Sequence, residues 1–132
     1  MRIDWIEPDV LAASCIPAGA GDIQGLHQQG IRAIVTLTEQ PLTLHSAVTA
    51  QLFEDLQITY LHVPVVDFQP PHEQQVLDVK IFIDQMREQG KPVFIHCYAG
   101  IGRTGTMLHG YYLLCGLSLH EARAKILATR YM

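Results

Sequence analysis

A cysteine followed six residues later by an arginine, with glycines between them, can both attack and hold a phosphate group. Here the stretch reads His96-Cys97-Tyr98-Ala99-Gly100-Ile101-Gly102-Arg103-Thr104-Gly105, between an apolar run and an apolar helical pattern. Gly100 and Gly102 permit close backbone approach, so successive N–H groups can converge on one anion. The N–H groups of Tyr98, Ala99, Gly100, Ile101, Gly102 and Arg103 are the predicted phosphate cradle. A cysteine facing those dipoles and a helix N-terminus has its thiol pKa lowered from about 8.5 towards ~3.5–7.5, so Cys97 is expected to be a thiolate. The planar guanidinium of Arg103 can grip two phosphate oxygens at once. Cys15 and Cys115 have Gly21 and Glu121 six residues on, and read as small buried hydrophobes.

Releasing an alcohol from a phosphate ester also needs a proton, and a carboxyl group on a loop can supply it. Asp67 follows an apolar run, precedes Pro70-Pro71, and lies thirty residues (97 minus 67) before Cys97. It is the predicted general acid. Asp78 and Asp84 fall inside a helical pattern and read as surface charges. Glu39 ends a strand pattern and has two readings, a partner for Arg103 or a solvent-facing charge; it stays outside the predicted site.

Buried strands are expected at Ile31–Thr38, Ile58–Val66 and Pro92–His96, with weaker patterns at Ile3–Ile6 and Val10–Cys15. Helical periodicity predicts Asp22–Gln29, Ser46–Leu56, His72–Gln89 (stopped by Gly90), Thr104–Cys115 and Ser118–Arg130. The last opens with a Ser118-x-x-Glu121 capping box. Thr104–Cys115 carries no charge and is expected to lie inside the protein. Alternating strands and helices imply an α/β fold, a central, mostly parallel four- to five-stranded sheet flanked by helices. The site segment then sits at the carboxyl end of a strand, where such folds bind ligands.

His96 to Gly105 resembles the phosphate-binding loop of the protein tyrosine phosphatase superfamily, His-Cys-x-x-Gly-x-x-Arg-Ser/Thr-Gly, at every specified position. Chain length and the segment Val66-Asp67-Phe68-Gln69-Pro70-Pro71 make it similar to the small atypical dual-specificity phosphatases, from about Trp5 to Arg130. The resemblance implies a nucleophile at Cys97, a phosphate clamp at Arg103 and an acid at Asp67. His96 is implied to brace the loop and Thr104 to serve the cysteine sulfur. Implied too are a phosphocysteine intermediate, a phosphorylated protein or peptide substrate, and no metal or other cofactor. Members usually continue past the position of Arg130, so a chain ending at Met132 is expected to lack their final helix.

The remainder bounds the alternatives. At 132 residues, 48% hydrophobic and 17% charged, one globular domain over 1–132 is expected rather than disorder. A formal charge of -4 argues against a nucleic-acid or anionic-membrane surface. Three cysteines without a Cys-x-x-Cys pair, and no apolar stretch approaching eighteen residues, fit a monomer in a reducing cytoplasm with neither secretion nor membrane spanning. Seven histidines show no local metal-ligand spacing and, His96 apart, read as surface residues or local hydrogen-bond partners. Competing readings are a phosphate-binding module without turnover, which would lack the cysteine, arginine or acid, and a phosphatase of phosphoinositides or RNA 5′ ends, for which more loop cations would be expected. Tyr98, Ala99, Ile101 and Gly102 bring none.

Overall fold

The computed structural model describes residues 1–130; Tyr131 and Met132, and with them the expectation about how the chain ends, lie outside the described residues. Five strands form one sheet: β1 (Asp4–Glu7), β2 (Leu11–Ser14), β3 (Ala33–Thr36), β4 (Thr59–His62) and β5 (Val93–His96), in the order β1-β2-β5-β3-β4. Only the β1–β2 pair is antiparallel. The expected mostly parallel α/β architecture is borne out, including both weaker strands.

Central β5 is covered on both faces, which explains its uninterrupted apolar run. Side chains alternate along a strand. Ile34 and Phe94 join Ile23, Leu26, Leu42 and Phe53 on one face. Val35, Val93 and Ile95 join Val79, Ile83, Met107, Leu108 and Tyr111 on the other. Register then decides where chemistry can occur: Ser14, Thr36 and His96 are level at the strand ends, with His62 beside Thr36. The chain leaving β5 at Cys97 therefore emerges between β2 and β3, flanked by whatever follows each.

The helices are α1 (Ala20–Gln28), α2 (Leu42–His45), α3 (Ala50–Asp55), α4 (Glu73–Glu88), α5 (Gly102–Leu114) and α6 (Leu119–Leu127). Several depart from the sequence expectation, α1 by starting two residues early at Ala20. The helix expected at Ser46–Leu56 begins only at Ala50, because Ser46 is extended and its hydroxyl donates to Pro17 O at 2.7 Å. Thr49 caps α3 instead, accepting from Leu52 N. The short α2 was not foreseen; Pro41 opens it. Helix α5 begins two residues early, since Ile101 O already accepts from Gly105 N at 2.8 Å and so draws Gly102 and Arg103 into the first turn.

Three burial expectations are corrected. The strand expected to be buried at Ile58–Val66 is the short edge strand β4, half-buried at every residue because only β3 flanks it. Leu113 and Leu114 at the end of α5 are about half exposed, because the α4 and α6 contacts cover only its other face. Cys15 and Cys115 are exposed thiols rather than buried hydrophobes. Gly90 does terminate α4 with a positive φ of 67°, and Ser118 with Glu121 forms the expected capping box on α6. That helix ends at Leu127, short of Arg130, which turns back towards the sheet.

Candidate active site

Cys97 lies at the floor of an open cavity of about 960 Å³ bounded by the turns after β3, β4 and β5 and the start of α5. Asp67 and Arg103 line the same cavity, as do Tyr98, Ala99 and Gly102. Residues separated in sequence are thus brought together around the thiol. Gly100, Ile101, His96 and Thr104 do not line it. Ile101 is half exposed outside, His96 and Thr104 are fully buried beneath, and Gly100 forms the back of the loop. At Gly100 φ is +81°, and a Cβ would meet Ser14 O at 2.4 Å, so only glycine fits this close crossing of β2.

The thiol experiences opposing influences. Burial pushes its pKa up; the Thr104 hydroxyl, the N–H groups of Thr104 and Gly100 and the charge of Arg103 together hold it below the ordinary thiol value. The Thr104 hydroxyl makes no well-formed hydrogen bond among the described residues, so in this geometry it acts on the sulfur as a nearby oriented dipole.

Arg103 is almost wholly enclosed. Its Nη1 donates to Glu39 Oε1 at 2.8 Å and to Val65 O at 3.1 Å, and its Nε lies 3.6 Å from Asp67 Oδ1, too far for a hydrogen bond. That Nε has no hydrogen-bond partner among the described residues. A buried guanidinium with donors to spare beside the Cys97 thiol suits an incoming dianion. Glu39, left outside the site on sequence grounds, is its main positioner, delivered by β3 lying next to β5. Spacing alone could not reveal this, since the two residues are 64 apart.

Beneath the loop, His96 Nδ1 is 2.8 Å from Cys97 O and its Nε2 is 2.8 Å from Thr36 Oγ1. A carbonyl can only accept, so Nδ1 carries the proton and the Thr36 hydroxyl donates to Nε2. Burial lowers the His96 pKa to about 4, overcoming the carbonyl bond, with His45, Arg103 and His62 adding to the depression. His96 is therefore neutral and braces the nucleophile's own peptide. Thr36, its support, was another residue the sequence did not single out.

Asp67 sits in the turn after β4, its Oδ1 accepting from Phe68 N at 3.0 Å. Phe68 has φ 63° and a fully exposed ring. Across the opening, Tyr98 packs edge-on against His45 at 5.5 Å between centroids. Among the described residues no group of three or more His, Cys, Asp or Glu is arranged to hold a metal ion. His62 and His109 instead bond the carbonyls Thr38 O and Gly105 O.

Residues 13–117 match the family model of the polymorphic toxin system DSP-PTPase phosphatases (Tc-R-P). The chain belongs to this family. The match takes in the phosphate loop, Asp67, strands β3, β4 and β5 and the end of β2, and it bears out the resemblance to small dual-specificity enzymes of the protein tyrosine phosphatase superfamily. The chain is similar to human dual specificity protein phosphatase 15, 31% identical over 84% of this chain and 35% of that protein. It is also similar to human dual specificity protein phosphatase 2, 32% identical over 82% and 31% respectively. It thus spans about a third of the length of these curated relatives. The solved structure of Tk-PTP in the active form superposes with a TM-score of 0.83 at 29% identity, covering 97% of this chain and 84% of that one. PTPMT1 shares the fold at a TM-score of 0.84 and 21% identity, over 98% of this chain and 83% of that one.

Proposed function

We propose that this protein hydrolyses phosphate monoesters on proteins through a phosphocysteine intermediate, with Cys97 as nucleophile, Arg103 as phosphate clamp and Asp67 as general acid. The observation that carries the proposal is the convergence of three groups on one cavity: a thiol with a lowered pKa, a buried guanidinium with an unpartnered Nε, and a carboxyl beside it.

The Cys97 thiolate attacks phosphorus as the bond to the ester oxygen breaks, and Asp67 protonates the departing alcohol. The loop N–H groups and Arg103 hold the oxygens whose charge builds in the transition state. Asp67, now a carboxylate, then takes a proton from the water that attacks phosphocysteine, and phosphate and thiolate are regenerated. The Thr104 hydroxyl, which already favours the thiolate form of Cys97, turns to donate to the sulfur as it leaves.

The opening favours protein substrates of both kinds, phosphotyrosine and phosphoserine or phosphothreonine. It is wide, and aromatic groups stand at its edge rather than forming a closed slot: Phe68 and Tyr98 are exposed. The residues lining it include one cation of fixed charge, Arg103, against the carboxyls of Glu39 and Asp67. That balance disfavours a multiply phosphorylated inositol headgroup or an RNA end. Three unpaired thiols, two of them exposed, accord with action in a reducing cytoplasm. Among the described residues no helix is long and apolar enough to cross a membrane.

The test is steady-state hydrolysis of p-nitrophenyl phosphate, with EDTA present, by wild type, Cys97→Ser and Asp67→Ala. Activity lost in the first variant and much slowed in the second supports the proposal; a folded, reduced wild type that turns nothing over rejects it. Phosphoserine peptides assayed beside phosphotyrosine peptides decide the dual specificity.

A further inference from the structure

Arg130 belongs to none of the groups that touch the cavity, yet its side chain is buried and spent on the phosphate loop. It follows the end of α6, where its own N–H donates to Ile126 O at 2.9 Å, and its Nη2 donates to the backbone carbonyl of Gly100. Its Nε lies 3.5 Å from Asp4 Oδ2 on β1, an ion pair rather than a hydrogen bond, and neither Nε nor Nη1 has a hydrogen-bond partner among the described residues. Both contacts are on the side of the loop away from Cys97. Arg130 and Asp4 line a second, separate hollow with Ser14 and Cys15, and neither reaches the cavity that holds the thiol.

Among the described residues, the other contacts on this back side of the loop are made by main chain. Ile16 N donates to Tyr98 O at 2.9 Å, and the Gly100 Cα is pressed against the Ser14–Cys15 peptide. The bond to Gly100 O is of another kind, because it fixes the orientation of a whole peptide plane. In a trans peptide the carbonyl of one residue and the N–H of the next point in opposite directions, and no cis bond occurs among the described residues. A guanidinium that draws Gly100 O backwards therefore turns Ile101 N–H forwards, towards the anion site. The same restraint holds Gly100 itself, whose N–H faces the Cys97 sulfur and lowers its pKa.

We propose that Arg130 is a positioning residue for the phosphate loop: ion-paired with Asp4, it sets the Gly100–Ile101 peptide so that the loop's N–H groups point at the phosphate and the thiolate. The inference rests on the proposed phosphatase reading for its consequence in turnover, but not for its consequence in anion binding. It also gives the residues after α6 a functional task, coupling them and β1 to a loop that both flank only at its back.

The experiment compares wild type with Arg130→Met, which keeps the aliphatic stem, and Arg130→Lys, which restores one charged donor. Three quantities are read: the dissociation constant for inorganic phosphate, the pH at which Cys97 becomes half-reactive to iodoacetamide, and kcat/KM on p-nitrophenyl phosphate. Displacing a positioned donor by a fraction of its contact distance costs on the order of tenfold to a hundredfold. Arg130→Met should bind phosphate about tenfold more weakly, react at a higher pH and lose a comparable factor in kcat/KM, with Arg130→Lys intermediate in all three. A lowered melting temperature with unchanged phosphate affinity and thiol titration would overturn the proposal and leave Arg130 a structural residue. If Arg130→Met does not fold, the same readouts on Arg130→Lys and on Asp4→Asn decide: a parallel shift in phosphate affinity and thiol titration supports the role, and wild-type values in both reject it. Wild type that binds phosphate with a low-pKa thiol but hydrolyses nothing would sink the catalytic reading and leave this one standing.

Discussion

His96 makes the stability of this protein depend on pH. The imidazole is fully buried, and its pKa falls from the ordinary 6.5 to about 4. The folded state therefore binds fewer protons than the unfolded chain between these values. Stability from this group is fully present above pH 6.5, declines as pH falls through the interval, and is gone below about 4. At about 1.4 kcal/mol per pH unit the full loss is about 3 kcal/mol, a large part of the ~5–15 kcal/mol that holds a domain together. Urea unfolding followed by circular dichroism at pH 7.5, 6, 5 and 4 measures it. His96→Asn is the comparison, since asparagine can still donate to Cys97 O but does not titrate. The variant should be less stable than wild type at pH 7.5, and the gap should close by up to about 3 kcal/mol by pH 4, with the other carboxyls and histidines cancelling between them. Parallel curves would refute a neutral, proton-resistant His96 and with it the assigned direction of the Thr36–His96–Cys97 hydrogen bonds.

Three further outcomes follow from the site. Asp67→Asn should lower kcat by about 10²–10⁴ on a phosphoserine peptide, whose alkoxide needs protonation, and by clearly less on p-nitrophenyl phosphate, whose phenolate leaves readily; paired steady-state assays show the difference. Gly100→Ala should destabilise the fold by about 1–3 kcal/mol and distort the loop, since φ is +81° and Ser14 O occupies the space a Cβ needs; thermal melts and phosphate affinity report both. Glu39→Gln should lower kcat/KM roughly tenfold through loss of Arg103 orientation while melting within a degree or two of wild type, because Glu39 is itself largely exposed.

The parts of the site legible in the sequence are those that are contiguous or that follow an apolar strand pattern. Cys97, the glycines and Arg103 occupy one loop, so spacing alone suffices, and Asp67 is marked by the strand before it and the prolines after it. Glu39, Thr36 and Arg130 reach the loop from β3 and from beyond α6. Their relevance depends on β3 and β2 flanking β5, an order that hydrophobic patterning does not specify. The same limit explains the errors in local structure. Ser46 leaves the helical pattern because Pro17, 29 residues away, offers its hydroxyl a better partner. Leu113 and Leu114 are exposed because an apolar helix declares that it has a buried face, not how much of its circumference neighbours will cover.

A phosphocysteine at Cys97 is a covalent species and can be read directly. Wild type mixed with excess p-nitrophenyl phosphate, quenched in acid within milliseconds and digested, should yield a phosphorylated peptide by mass spectrometry, with the phosphoryl group on Cys97 and no such adduct in Cys97→Ser. A phosphoryl group on any other residue, or undiminished turnover by Cys97→Ser, would contradict the mechanism.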